Sequence, residues 1–270
     1  MKRTEIADHM LARLESEKLA IKQSYLDTKN SIGYFIVDDL LPEQIALDIY
    51  KAFPAAAAMN LNKSLREYKY IAAQMDKYEP ILEEALFAFQ DRRIIDLISD
   101  VCGIDTLYPD ENLYAGGISR MEKKQFLNPH LDNSHDKDRE KWRVLNLLYY
   151  VSPDWKQEYG GNLELWPDGI EGEQITVYSK FNRLAVMATH DTSWHSVSPI
   201  THHASRCCVS NYYFSDSPLK DNRNFHVTSF RGRPEQKIRD VILQADNALR
   251  MGIRKIFSKG VVETNHIYKK

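Results

Sequence analysis

The chain has 270 residues, 43% of them apolar and 27% charged, with a formal net charge of −2. That length suits one large domain or a core with added helices, and the composition is ordinary for a soluble globular protein. The charge balance gives no support for a nucleic-acid surface, and no run of about 18 apolar residues offers a membrane span.

The start, MKRTEIADHMLARLESEKLAIK, lacks a signal-type apolar run, and its acids Glu5, Asp8, Glu15 and Glu17 argue against a transit peptide. Apolar residues at helical spacing predict a helix over 5–28, and GYFIVD at 33–38 predicts a short strand. Pro42 stands where a second helix begins, carried on by Ile45, Ala46, Ile49 and Tyr50. A further helical stretch is expected over 79–102, stopped by Gly103. From about 112 to 215 the pattern changes to short β-branched and aromatic runs broken by Gly, Pro, Asn and Asp. WRVLNLLYYV at 142–151 is apolar on both faces and suits an interior strand, and 183–188 and 206–214 are similar. After Pro234 a last helix is expected, with Ile238, Val241, Ile242, Ala245 and Leu249 along one side. The fold class expected is mainly β with flanking α-helices, a jelly-roll core in one domain over 1–270. Residues 1–110 form a mostly helical N-terminal support, 111–216 the core and 217–270 the C-terminal helix.

Cys102, Cys207 and Cys208 form no disulfide framework and read as buried thiols in a reducing cytoplasm. On a strand, Cys207 and Cys208 point to opposite faces.

Nine histidines and 21 aspartates make one HxD triplet expected about once by chance, so His130-Leu131-Asp132 alone decides little. On a strand, however, residues i and i+2 face one way, so both side chains can reach one point. His195, 65 residues later, adds a third ligand type. Two histidines and a carboxylate make the facial triad of non-haem iron(II) oxygenases, with three positions left for a 2-oxo acid and dioxygen. Zinc enzymes use the same ligand types, so the triad does not name the metal. Arg206 breaks the tie. It opens a predicted strand eleven residues beyond His195, and SVSPITHHAS between them reads as a hairpin connection that returns Arg206 beside the triad. A buried guanidinium there is costly unless it meets a carboxylate. Ser210 shares its face. Tyr150 and Asn146, on a neighbouring predicted strand, either reach the same diacid or pack in the core.

The stretch 115–215 resembles the prolyl-hydroxylase-like branch of the 2-oxoglutarate/iron(II) dioxygenases, with special similarity to the hypoxia-factor prolyl hydroxylases. The resemblance is carried in order by HLDN at 130–133, LYYVSPDW at 148–155, GGNLELW at 160–166, KFNRLAVMA at 180–188, WHSVSPI at 194–200 and Arg206 in SRCCVSNYYF. GYFIVDDLLP at 33–42 is similar to the family's opening strand and helix. The resemblance implies a double-stranded β-helix in which His130, Asp132 and His195 hold iron(II). It implies that Arg206 binds the distal carboxylate of 2-oxoglutarate, with Tyr150 where the family often has a tyrosine on that carboxylate. Dioxygen would be consumed, ascorbate would serve as an auxiliary reductant, and succinate and carbon dioxide would be formed as a C–H bond is hydroxylated. An aspartate at 132, where related halogenases carry a small residue, implies hydroxylation. Two departures stand out: YLN is Tyr150-Val151-Ser152 here, and SRMEKKQFLNP before the triad lacks the family's Gly and Tyr. Prolyl specificity is therefore not carried over.

A small polar metabolite such as an amino acid is the expected substrate, with a peptidyl side chain as the alternative. A zinc hydrolase gives Arg206 no task, and a non-catalytic jelly-roll binding module requires a broken triad. His135, His190, His202 and His203 are expected in solvated loops. Asn133 either faces substrate or solvent, and the charged run 134–141 is either an exposed loop or a lid. Arg239, Arg250, Arg254 and Lys255, opposite the apolar stripe of the last helix, form a solvated face or a partner or homodimer surface.

Overall fold

A computed structural model describes residues 1–221, 223–256 and 268. Helix α1 (Arg3–Thr28) leads into β1 (Tyr34–Val37) and α2 (Glu43–Lys51), then a ribbon of β2 (Asn60–Lys63) and β3 (Glu67–Ala72). Helices α3 (Pro80–Ala88) and α4 (Arg92–Cys102) follow. The central strands are β4 (Tyr108–Pro109), β5 (Gly117–Met121), β6 (Phe126–Leu131), β7 (Trp142–Tyr150), β8 (Leu163–Leu165), β9 (Ile175–Val177), β10 (Arg183–Ala188), β11 (His195–Val197) and β12 (Arg206–Ser215). A short β13 (Ser229–Phe230) precedes α5 (Lys237–Ile256).

Local chemistry explains most boundaries. The predicted helix over 79–102 is two helices, because the Asp91 carboxylate accepts from the Arg93 backbone N–H at 3.0 Å and starts a new one. Gly103, at φ 65°, ends it in the left-handed conformation. The polar ribbon β2–β3 lies outside the sequence expectations, although β3, EYKYIA, alternates Tyr68 and Tyr70 with Glu67 and Lys69.

The strands pair antiparallel in the order β1-β10-β7-β12-β5-β3-β6-β11-β8-β9. Strand β3 joins the two halves: Tyr70–Ala72 pair with β5, whereas Glu67 and Tyr68 pair with β6. Side chains from both halves line one cavity, so the sheet curls around it. This is the double-stranded β-helix architecture. On β7, Leu145, Leu147 and Tyr149 face outward into the core with the helices, whereas Asn146 and Leu148 face the cavity. Cys207 packs in the outer cluster and Cys208 in the inner one, as the alternation requires, and all three cysteines are free and buried. Ile6, Met10 and Leu14 of α1 pack with Ile94 and Ile98 of α4 in the outer cluster.

Helix α5 sits the other way round from expectation. Ile238 and Val241 are 81% and 68% exposed, and Ile242 and Leu249 are also exposed. The helix docks through Leu243, buried in a cluster with Leu127 and Phe230, and through polar groups: Asp240 takes both Arg231 Nε and Nη2, Asp246 pairs with Arg66, and Asn247 bonds the backbone of Phe230. Arg250 and Arg254 border the cavity rather than a solvated face, while the side chain of Lys255 lies outside the described residues. No helix among the described residues is long and apolar enough to cross a membrane.

The turn before β8 depends on Gly160, at φ 73°, where an added Cβ would stand 2.0 Å from the Pro199 carbonyl oxygen. Gly160→Ala is expected to destabilise the fold by roughly 2–4 kcal/mol, through left-handed backbone strain plus the clash. The midpoint of urea unfolding checks this, and an unmoved midpoint would show that the turn relaxes freely.

Candidate active site

His130 and Asp132 come from the end of β6 and the residue just past it, and His195 opens β11 directly opposite, paired with His130. All three are buried, and one ligand atom of each lies within 4.8 Å of the others. His130 Nε2 stands 3.7 Å from one Asp132 oxygen and His195 Nε2 stands 3.8 Å from the other. These separations are too long for hydrogen bonds, and Asp132 Oδ2 has no hydrogen-bond partner among the described residues.

The backbone sets the tautomers. His130 Nδ1 lies 3.0 Å from the Asn128 carbonyl and His195 Nδ1 lies 3.0 Å from the Ser193 carbonyl. A carbonyl only accepts, so each Nδ1 carries the proton and each Nε2 presents a lone pair to the shared point. Burial, then His195, pushes the His130 pKa down to about 3, which keeps that imidazole neutral. Burial alone would raise the Asp132 pKa, but His195, Arg143 and His130 outweigh it and hold the group below its ordinary value. Two imidazoles that turn Nε2 to one point and a carboxylate with an unbonded oxygen are a donor set fitted to a divalent metal.

Arg206, 3% exposed, points into the same cavity and forms no ion pair among the described residues. Its Nε donates to Ser179 Oγ at 3.4 Å, Nη1 approaches Met121 Sδ at 3.7 Å, and the guanidinium carbon sits 4.7 Å from the centre of the Tyr150 ring. A buried cation with such weak partners costs several kcal/mol unless a carboxylate arrives, so the residues present fit a diacid. Arg206 reaches the site by a different route from the predicted hairpin. Strand β12 pairs with β7, β5 and β4, not with β11, so Arg206 enters from the opposite half of the sheet.

Asn146 and Ser210 also line the cavity, and the Asn146 side-chain oxygen Oδ1 has no hydrogen-bond partner among the described residues. Tyr150 is fully buried beneath Arg206, and its hydroxyl, close to Arg206 and Ser179, makes no well-formed hydrogen bond among the described residues. Burial pushes its pKa up to about 12, so it remains a neutral donor. Asn133 borders the cavity and donates to the His135 carbonyl at 2.7 Å. His135 and His190 are not solvated: His135 is buried against Trp142, and the His190 side chain is 3% exposed in a turn with Thr192. His202 and His203 are exposed, as expected.

The residue missed from the sequence is Arg143. The register between β7 and β12 slips between Tyr213 and Phe214, which leaves Val144 unpaired and turns Arg143 to the cavity side. An arginine inside a strand that is apolar but for Asn146 is a signal for the residue, though not for the slip.

Residues 116–214 match the 2OG-Fe(II) oxygenase superfamily. No curated protein matches the chain in sequence. The chain is similar in structure to a Trichoplax adhaerens prolyl hydroxylase solved with a hypoxia-inducible-factor peptide, at 19% identity and a TM-score of 0.51, covering 74% of this chain and 92% of that one. It is also similar to a Pseudomonas putida prolyl-4-hydroxylase, at 15% identity and a TM-score of 0.54, covering 73% of this chain and 100% of that one. A third likeness is to the non-heme alpha-ketoglutarate-dependent epimerase SnoN of nogalamycin biosynthesis, at 16% identity and a TM-score of 0.52, covering 73% and 83%. At these identities the structural likeness speaks for the fold.

Proposed function

We propose that this chain, whose residues 116–214 match the 2OG-Fe(II) oxygenase superfamily, hydroxylates an unactivated C–H bond of a small polar metabolite, such as an amino acid. One observation carries the reading: the buried His130–Asp132–His195 cluster opens onto the same cavity as the Arg206 guanidinium, which has no ion pair among the described residues. In this assignment His130, Asp132 and His195 hold iron(II), and Arg206 holds the distal carboxylate of 2-oxoglutarate, with Ser210, Asn146 and Tyr150 as additional polar contacts.

Bound iron(II), with 2-oxoglutarate and dioxygen, supplies an oxidation that places one oxygen atom in succinate and the other in the product, with release of carbon dioxide. The protein's share is positional. His130 and His195 present fixed Nε2 lone pairs, Asp132 contributes a negative charge, and Arg206 with the neutral Tyr150 hydroxyl orients the diacid. The Leu148, Met121 and Leu163 side chains on the cavity wall limit water at the reacting atoms. The cavity, about 750 Å³, takes the cosubstrate together with a metabolite-sized molecule. Three free, buried thiols support a reducing, cytoplasmic setting.

Anaerobic addition of iron(II) and 2-oxoglutarate should produce the weak visible charge-transfer band of the chelate. Under air, a screen of free metabolites and short peptides scored by succinate release should give turnover with free metabolites. No band and no succinate would overturn the oxygenase reading, and turnover with peptides alone would overturn the small-molecule one.

A further inference from the structure

Arg206 and Arg143 mark two ends of one cavity. Arg206 lies over Tyr150 at the end of β7, whereas Arg143 sits seven residues earlier, with Asn146 and Leu148 facing the cavity between them. At about 3.3 Å per residue that is roughly 23 Å of strand, more than a five-carbon diacid spans. The cosubstrate anchored at Arg206 therefore leaves Arg143 to another molecule.

The Arg143 side chain is 5% exposed, and its Nε has no hydrogen-bond partner among the described residues. Its guanidinium stands 4.5 Å from the Tyr212 ring and 5.9 Å from that of Tyr114. The nearby acid is Asp132, with Nη1 to Oδ1 at 3.6 Å, beyond hydrogen-bond length, and that carboxylate belongs to the metal set. A second guanidinium borders the same cavity: Arg139 stacks 3.7 Å from the Phe225 ring, and its Nη2 is buried without a hydrogen-bond partner. Burial, then the neighbouring Arg254, pushes the Arg139 pKa down.

The acids at this rim are already engaged. Asp136 Oδ1 accepts the Glu140 and Lys141 backbone N–H groups, Glu67 pairs with Lys69 at 2.9 Å, and Asp246 is shared by Arg66 and Arg250. The buried Arg143 guanidinium thus stands beside Asp132 and the half-buried Arg139 lines the same cavity, each against an aromatic ring and neither hydrogen-bonded to a carboxylate among the described residues. Such planar forks are built for bidentate oxyanions.

We propose that Arg143 and Arg139 form an oxyanion subsite for the primary substrate, so that the metabolite oxidised here carries a carboxylate or phosphate group. This deepens, and rests on, the oxygenase reading above. Because Arg143 lies beside Asp132, the C–H bond offered to the metal belongs to the anion-bearing end of the substrate.

The test uses the full chain loaded anaerobically with iron(II) and 2-oxoglutarate. It is titrated with matched pairs: amino acids and dicarboxylic acids against their carboxamides, and phosphate monoesters against the parent alcohols. The readouts are perturbation of the chelate band and, under air, succinate release. One anionic class should act at concentrations roughly tenfold or more below its neutral counterparts, and which class responds separates carboxylate from phosphate. Arg139→Gln and Arg143→Gln should each raise the KM for that anion roughly tenfold while the chelate band still titrates with 2-oxoglutarate. Arg139, on a loop, keeps the test open if the Arg143 variant misfolds. A normal band with no preference for anions, or an anion KM unmoved in Arg139→Gln, overturns the subsite alone. Failure of the unaltered protein to form the band brings down the oxygenase assignment and the subsite with it.

Discussion

Replacing Arg206 with alanine is expected to weaken 2-oxoglutarate binding roughly hundredfold, while metal affinity stays near that of the unaltered protein. A bond from a charged donor to a carboxylate is worth roughly 1.5–3 kcal/mol, and a bidentate pair places the loss at the upper end of that range or above. The metal set is unaffected because Arg206 approaches from β12, in the other half of the sheet from β6 and β11. The ligand-free variant loses mainly contacts with Tyr150, Ser179 and Met121 and sheds a costly unpaired charge, so its unfolding midpoint should change little. Anaerobic titration of the chelate band measures the first quantity, and calorimetric metal binding the second. Unchanged affinity for the diacid would place the anchor elsewhere. Arg206→Lys should fall between the two, since it keeps the charge but loses the fork.

Asp132→Ala should abolish substrate hydroxylation and weaken metal binding by more than a hundredfold. Even a partner behind a ligand is typically worth 10–100-fold in metal affinity, so a direct ligand is worth more. Charge adds to the effect: Asp132 is the one acid of the buried cluster, and without it a bound cation would face Arg143 with no intervening carboxylate. Succinate release under air and metal titration check both parts. Full turnover in the variant would contradict the triad. Asp132→Asn, which keeps the shape but not the charge, should be impaired nearly as much if charge is the decisive contribution.

The chemistry of this site was more legible in the sequence than its wiring. Strand periodicity alone puts His130 and Asp132 on one side, and an arginine following His195 has an obvious chemical role in a diacid-binding site. What local pattern does not contain is pairing partners. SVSPITHHAS has hairpin composition, yet β11 and β12 belong to different halves of the sheet, because pairing is decided by non-local burial. The α5 stripe is legible as a pattern, but its orientation depends on Asp240 meeting Arg231 and Asp246 meeting Arg66, contacts that exist only after folding. His135 reads as a loop residue until Trp142 covers it. Arg143 hides for a third reason: a one-residue bulge reverses which face it occupies, and nothing within WRVLNLLYY announces that slip.

Every proposed metal ligand lies well beyond residue 72, yet the hollow they share is held shut by residues before it. The family match spans 116–214, whereas the bridging strand β3 occupies Glu67–Ala72. Without it, β5 and β6 would each present bare backbone N–H and C=O groups to solvent, an invitation to intermolecular pairing. The bridge also joins segments about fifty residues apart, a closure whose entropic cost comes before any contact repays it. Metal-binding competence in this chain is therefore a property of the completed circuit of strands, with the polar ribbon as its clasp.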